Sequence, residues 1–333
     1  MPALAVADAL RAEGAEVVFA GGQRTERELV PAASYELRTL RIRPLHRRRP
    51  DLAARAALVD ALAVLAARRL LAELRPAAAM GAGGYVAGPV GLAAVLRRVP
   101  LFLLEADSHL GLANRLLAPF ARRVFLSFPI HGRDGSRYRV TGRPVPPPAR
   151  DRGAARARFG IGPEETCVLV FGGSQGARSI NHAAVEAFAG ARFKVLHAAG
   201  HRDLSQLRSP GAHYDLRAYI AEFGEALLAS DLVVARAGGS IFEIAAHGRP
   251  AVLIPYPYAT TDHQRANAAF MERAGAAVVV EDRELSPARL AQEVGALLSD
   301  RGRLEAMSRA SAALARPEAA GEIAGEILAQ IRG

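Results

Sequence analysis

Two doubly wound, Rossmann-like α/β domains joined by a short linker are the architecture expected of this 333-residue chain. Three observations point to it. Short apolar, β-branched runs alternate with helical stretches along most of the sequence. Glycine-rich turns stand where several of these runs pass into helices, as in open parallel sheets. A proline-rich segment, Val140-Thr141-Gly142-Arg143-Pro144-Val145-Pro146-Pro147-Pro148, falls mid-chain, and the pattern restarts after it. The expected organisation is a first domain over 1–142, a linker over 143–150 and a second domain over 151–333. The last helix is free to pack back on the first domain, and a cleft lies between the two.

The elements follow in order. Residues 1–12 read as a helix, with Pro2 suited to its first turn and Gly14 ending it. Residues 16–20 read as a strand, and 36–42 as another short one. An arginine-rich loop, 41–49, leads into a long helix over 52–74. Its apolar face carries Leu58, Leu62, Leu65 and Leu70, and its other face Arg55, Arg68 and Arg69. Residues 77–80 form a strand that ends in Gly81-Ala82-Gly83-Gly84-Tyr85, with a helix starting near Pro89. The strand 100–105 ends at Glu105, with Asp107 and His109 just beyond it, where open α/β sheets place their ligands. Asn114 follows on a helix, and 124–128 is a strand. In the second half, 167–171 is a strand running into Gly172-Gly173-Ser174-Gln175-Gly176-Ala177 and a helix containing Asn181. Residues 194–198 are a strand, 223–229 a helix, 276–280 a last strand, and two helices finish the chain.

The most informative stretch is DLVVARAGGSIFEIAAHGRPAVLIPYPYATTDHQRAN, residues 231–267. It reads as strand 232–235, glycine turn, helix 241–247, strand 251–255, loop and helix. A turn at a helix N-terminus leaves backbone N–H groups for a phosphate. Glu243, about one turn into the helix, suits the hydroxyls of a sugar. Either glycine turn alone is as well explained by an ordinary tight turn. Two in one domain, together with Glu243 and Gln264, favour a nucleotide-sugar site.

Composition narrows the function classes. The net charge of +10 is carried almost wholly by arginine, with Lys194 the only lysine. That excess suits anionic partners: a nucleotide, or an anionic membrane beneath the 41–69 face. The arginines are dispersed and few aromatics interleave with them, so nucleic acid is not expected as a partner. The single cysteine, Cys167, opens an apolar run and rules out a disulfide framework. No apolar run approaches the roughly 18–20 residues of a membrane span, and no secretory signal pattern is present. No metal or cofactor is expected.

Taken together, the blocks resemble the MurG family of bacterial cell-wall glycosyltransferases. They are PALAVADAL near the start, MGAGGYVAGPVGLAA at 80–94, GLANRLLA at 111–118, FGGSQGARSIN at 171–181, ARAGGSIFEIAAHGRPAVLIPYPY at 235–258 and DHQRANA at 262–268. Their order and spacing carry the resemblance more than any single block. It implies the two-domain GT-B glycosyltransferase fold. It also implies inverting transfer of N-acetylglucosamine (GlcNAc) from UDP-GlcNAc to undecaprenyl-pyrophosphoryl-MurNAc-pentapeptide, in peptidoglycan synthesis at the cytoplasmic face of the cell membrane.

By motif position, the resemblance puts Ser174 and Gln175 at the pyrophosphate turn and Ile220 near the uracil. Gly238, Gly239 and Ser240 cradle the diphosphate, Glu243 takes the ribose, and Gln264 takes the GlcNAc with His263 and Asn267 beside it. In the first domain, Glu105 and His109 are the catalytic candidates, and Asp107 and Asn114 substrate contacts. Departures are also visible. The family's opening strand and GGTGGH-type loop, whose histidine is a favoured base, precede the point where this sequence starts. Its HEQN segment reads Leu104-Glu105-Ala106-Asp107 here, and Pro146 stands where the family has a linker arginine. The turn 237–242 is one residue shorter than in the family. Two other readings therefore stay open: another GT-B lipid glycosyltransferase, or an inactive nucleotide-sugar-binding homologue.

Overall fold

The computed structural model describes residues 2–22, 26–40, 50–173, 176–259 and 262–332, and for residues 50–60 and 85 the backbone element only. The chain divides into two compact units. One is Met1–Pro146 with Glu318–Gly333, the other Pro147–Pro317. The break thus falls inside the proline-rich segment, and the last helix belongs to the first unit.

In the first unit, β1 (Val18–Gly21) pairs with β2 (Glu36–Thr39). A second sheet runs in sequence order through β3 (Ala79–Gly81), β4 (Leu101–Glu105), β5 (Arg123–Leu126) and β6 (Tyr138–Val140). All pairings are parallel. Among the described residues no strand pairs with both β1 and β3, so there are two sheets. The core under β4 and β5 is built from Phe102, Leu104 and Phe125 together with Val6 of the first helix, Pro2–Ala12. Ile323 and Ile327 of the last helix, Ala319–Arg332, complete it. That helix is also fastened by Glu326, which accepts hydrogen bonds from Arg123 and Arg139. Burial raises the Glu326 carboxyl, but the two guanidiniums outweigh it and hold it below the usual carboxylate range.

The second unit is one six-stranded parallel sheet. Its strands are β7 (Cys167–Phe171), β8 (Lys194–Ala198), β9 (Tyr214–Arg217), β10 (Leu232–Ala235), β11 (Ala251–Leu253) and β12 (Ala277–Val279). Their order is β12-β11-β10-β7-β8-β9. The chain therefore starts in the middle, winds one way through β8 and β9, then reverses through β10 to β12. The reversal lies between β7 and β10, where a doubly wound sheet opens a crevice beyond its carboxyl ends. β7, β10 and β11 are buried along their whole length, which is why they read as unbroken apolar runs.

Three sequence expectations change. The helix expected near Pro89 begins at Gly84 and carries Pro89 inside it. Strands β6 and β9 have no counterpart in the sequence reading. Both are edge strands with charged residues (Tyr-Arg-Val and Tyr-Asp-Leu-Arg), and such strands lack an apolar run. The C-terminal region holds three helices rather than two. Asp300 divides Pro287–Ser299 from Arg301–Ala313 by ending one and capping the next, its carboxylate accepting the N–H of Arg303 at 2.9 Å.

Candidate active site

In the second unit, two glycine turns leave adjacent strands at the switch point. β7 and β10 pair in register, Phe171 opposite Ala235, so the turns 172–177 and 236–240 begin side by side. The first is closely packed. A Cβ on Gly172 would lie 2.3 Å from both the N and Cβ of Ala177. Gly176 has φ of 73°, and a Cβ there would lie 2.1 Å from the carbonyl oxygen of Ala199. Only glycine satisfies either position. Ser174 and Gln175 lie outside the described residues.

The second turn holds Gly238, Gly239 and Ser240 and opens the helix Ile241–Ala246. Ser240 sits at the cap without using its side chain to cap. Ile241 and Phe242 donate their N–H groups to the carbonyls of Gly238 and Gly239. Glu243 is half-buried in the first turn of that helix. Its backbone carbonyl accepts Nδ1–H of His247 at 2.8 Å, leaving Nε2 of His247 to accept the N–H of Ala149 at 3.1 Å. Burial, chiefly, lowers the His247 pKa, in keeping with that neutral tautomer.

The helix His263–Arg273 supplies the other sequence candidates. His263 and Gln264 are half-buried on its first turn, and the Gln264 Oε1 accepts the N–H of Tyr256 at 2.9 Å. Asn267 is 3% exposed and donates Nδ2–H to the carbonyl of Ala237 at 2.9 Å. It is thus a support of the glycine turn, where the sequence suggests a flank of the sugar site. The Ile220 side chain is 2% exposed, which leaves its backbone as the part able to meet a base.

One residue missed in the sequence is Arg236, at the end of β10 and almost fully buried. It donates to the carbonyls of Ile254 and Pro255 and to the Ser179 hydroxyl, and pairs with Asp282 at 2.6 Å. The Tyr256 ring stands over its guanidinium at 5.4 Å. The signal was a lone arginine closing an otherwise apolar strand, Leu-Val-Val-Ala-Arg.

In the first unit, Glu105 ends β4 with its side chain buried. Oε2 accepts the N–H of Gly111 at 2.8 Å and Nδ2–H of Asn114 at 2.9 Å, and Oε1 accepts the N–H of Asp107 at 3.1 Å. Asn114, 1% exposed, also donates to the carbonyl of Leu104 at 3.0 Å. Glu105 and Asn114 therefore fold the loop 105–111 upon β4. With both carboxylate oxygens taken up in this way, the geometry suits Glu105 to positioning this loop, whereas the sequence leaves its role, base or substrate anchor, open. Asp107 and His109 are half-buried in the loop so formed. Arg143 donates to the carbonyl of Ala106 at 3.1 Å.

Two parallel α/β units, the second of Rossmann strand order with paired glycine turns at its switch point, make up the GT-B fold of nucleotide-sugar enzymes. Residues 1–126 match the glycosyltransferase family 28 N-terminal domain, and residues 167–323 match its C-terminal domain. The chain is 40% identical over 341 residues to a protein of Moorella thermoacetica, covering 96% of this chain and 92% of the relative. That relative is a UDP-N-acetylglucosamine–N-acetylmuramyl-(pentapeptide) pyrophosphoryl-undecaprenol N-acetylglucosamine transferase. A protein of the same description from Rubrobacter xylanophilus is also 40% identical, covering 97% of this chain and 98% of its own length. The crystal structure of Acinetobacter baumannii MurG superposes with a TM-score of 0.76 at 27% identity, covering 98% and 95% of the two chains. The chain belongs to this family of N-acetylglucosamine transferases, the MurG branch of glycosyltransferase family 28.

Proposed function

We propose that this chain transfers GlcNAc from UDP-GlcNAc to undecaprenyl-pyrophosphoryl-MurNAc-pentapeptide, with inversion at the anomeric carbon. The observation that carries the reading is the pair of glycine turns side by side at the switch point between β7 and β10. Backbone N–H groups from these turns, including Gly238, Gly239 and Ser240, receive the diphosphate as it departs. Glu243 accepts the ribose hydroxyls, the backbone at Ile220 meets the uracil, and Gln264 and His263 meet the GlcNAc. Asn267 and Arg236 hold the loops that carry these groups. In the first unit, Glu105 and Asn114 shape the loop 105–111. Asp107 and His109, the titratable side chains on that loop, are the candidates to take the acceptor hydroxyl's proton.

The acceptor's lipid implies work at a membrane. Among the described residues no helix is long and apolar enough to cross one. The first unit does expose Leu62 and Leu65 on the helix Pro50–Leu74, Leu92 and Leu96 on the helix Gly84–Leu96, and Leu116 and Phe120 nearby. Arg68, Arg69, Arg97, Arg98 and Arg115 are on the same elements or beside them. This set suits peripheral attachment to an anionic surface, which we assign to the cytoplasmic face of the cell membrane. The arginines 41–49 lie outside the described residues.

The test is a transfer assay with radiolabelled UDP-GlcNAc and the muramoyl-pentapeptide lipid. The expected result is label moving into the extractable lipid as UDP is released in equal amount. A preference for UDP-glucose or UDP-galactose would overturn the donor assignment.

A further inference from the structure

The core of the second unit contains a polar chain that the site as described does not use. His197, on β8, is fully buried. Its Nδ1 lies 2.8 Å from the Tyr214 Oη and its Nε2 3.0 Å from the Asn181 Oδ1. The direction of each bond follows from its neighbours. Asn181 donates Nδ2–H to the carbonyl of Ala199 at 2.8 Å and to the Asp203 carboxylate at 3.1 Å. Its Oδ1 is therefore the acceptor, His197 carries its proton on Nε2, and Nδ1 accepts the O–H of Tyr214. Burial pushes the imidazole down to about 4 and the Tyr214 phenol up, so neither changes charge near neutral pH.

The three residues come from three elements: the helix Arg178–Ala187 behind the first glycine turn, β8 and β9. Through Asn181 the chain reaches one dipeptide, Ala199-Gly200, whose Ala199 carbonyl accepts the Asn181 amide. On one side, Gly176 packs against the carbonyl of Ala199 so closely that no side chain fits between. On the other, the N–H groups of Ala199 and Gly200 donate to the carbonyls of Arg217 at 2.9 Å and Ala218 at 3.0 Å. Those carbonyls begin the segment that ends at Ile220. Ala199-Gly200 is thus the spacer between the pyrophosphate turn and the base-binding segment.

We propose that His197 is a positioning residue for the nucleotide: by orienting Asn181 it fixes the Ala199-Gly200 spacer, and with it the distance between the pyrophosphate turn and the uracil segment. The inference rests on the reading of this unit as the UDP-GlcNAc site. Its alternative is a polar chain that stabilises the core and has no effect on ligand.

The test is calorimetric binding of UDP to the full chain, well below each variant's melting temperature, for wild type, His197→Phe, His197→Gln and Tyr214→Phe. His197→Phe leaves the buried Oδ1 of Asn181 without its donor and is expected to weaken UDP about tenfold. His197→Gln keeps an N–H donor toward Asn181 and is expected to recover most of that loss. Tyr214→Phe removes the outer bond and is expected to cost about threefold. With the muramoyl-pentapeptide lipid as acceptor, the donor KM should rise while the acceptor KM holds. Variants that melt earlier but bind UDP as wild type does would overturn the proposal, and if His197→Phe does not fold, His197→Gln and Tyr214→Phe decide it alone. A wild type that binds no UDP overturns the donor-site reading itself, and this inference with it.

Discussion

Glu243 is half-buried in the first turn of a six-residue helix, and its position there is set by the glycine turn before it and by His247 after it. A carboxylate accepting two ribose hydroxyls contributes through charge-assisted hydrogen bonds. Glu243→Ala is expected to weaken UDP binding ten- to a hundredfold, about 1.4–3 kcal/mol, with a melting temperature shifted by no more than about 2 °C. Calorimetry and a thermal melt on one sample check both parts, and unchanged UDP affinity would remove Glu243 from the site. His197 makes the opposite kind of prediction. Its folded-state pKa of about 4 lies below the unfolded value of 6.5, so below pH 6.5 the unfolded chain binds the extra proton first. The stability tied to this residue is present above pH 6.5 and is lost as pH falls toward 4, by up to about 3 kcal/mol. Urea unfolding at pH 7 and pH 5 should show the loss in wild type and a smaller one in His197→Gln. Equal losses would assign the effect to other groups. The glycine turns are legible in the sequence because each depends on near neighbours. The supporting role of Asn267 is not, because it is defined by a partner that only the fold brings within bonding distance.

Among the elements, the central strands are the most legible. The runs 167–171 and 232–235 coincide with β7 and β10, since a strand buried on both faces admits almost only apolar side chains, and the run 194–198 coincides with β8. Arg236 is the exception that ties elements together. It joins the exit of β10 to the exit of β11 through Ile254 and Pro255, and to the helix behind the first glycine turn through Ser179. Asp282 balances its charge and also accepts the Ser179 hydroxyl at 2.8 Å. Removing that carboxylate leaves a buried guanidinium short of its partner. Asp282→Ala is expected to destabilise the protein by about 2–3 kcal/mol, below the usual figure for a wholly buried pair because the Asp282 side chain is 23% exposed. Urea unfolding measures it, and a change under about 0.5 kcal/mol would mean that the carbonyls alone satisfy Arg236.

For the molecule as a whole, the exposed leucines and Phe120 of the first unit form a surface that water alone does not favour, with arginines on the same helices. The chain is expected to partition onto vesicles containing anionic lipid more than onto neutral ones, and less as salt rises. Leu96→Glu with Phe120→Glu should abolish the partitioning and leave UDP affinity unchanged, because neither residue belongs to the second unit. Equal partitioning onto neutral and anionic vesicles at low salt would dismiss the electrostatic part. The sequence by itself determined the two α/β halves, the glycine turns and the family, because strand burial, turn geometry and motif spacing are expressed by residues close together in the chain. The tertiary structure alone decided the strand order that makes a switch point, and the partners of His197, Arg236 and Asn267. Those pairings join residues 16, 57 and 30 positions apart, and no local pattern encodes which distant group will satisfy a polar atom once it is buried.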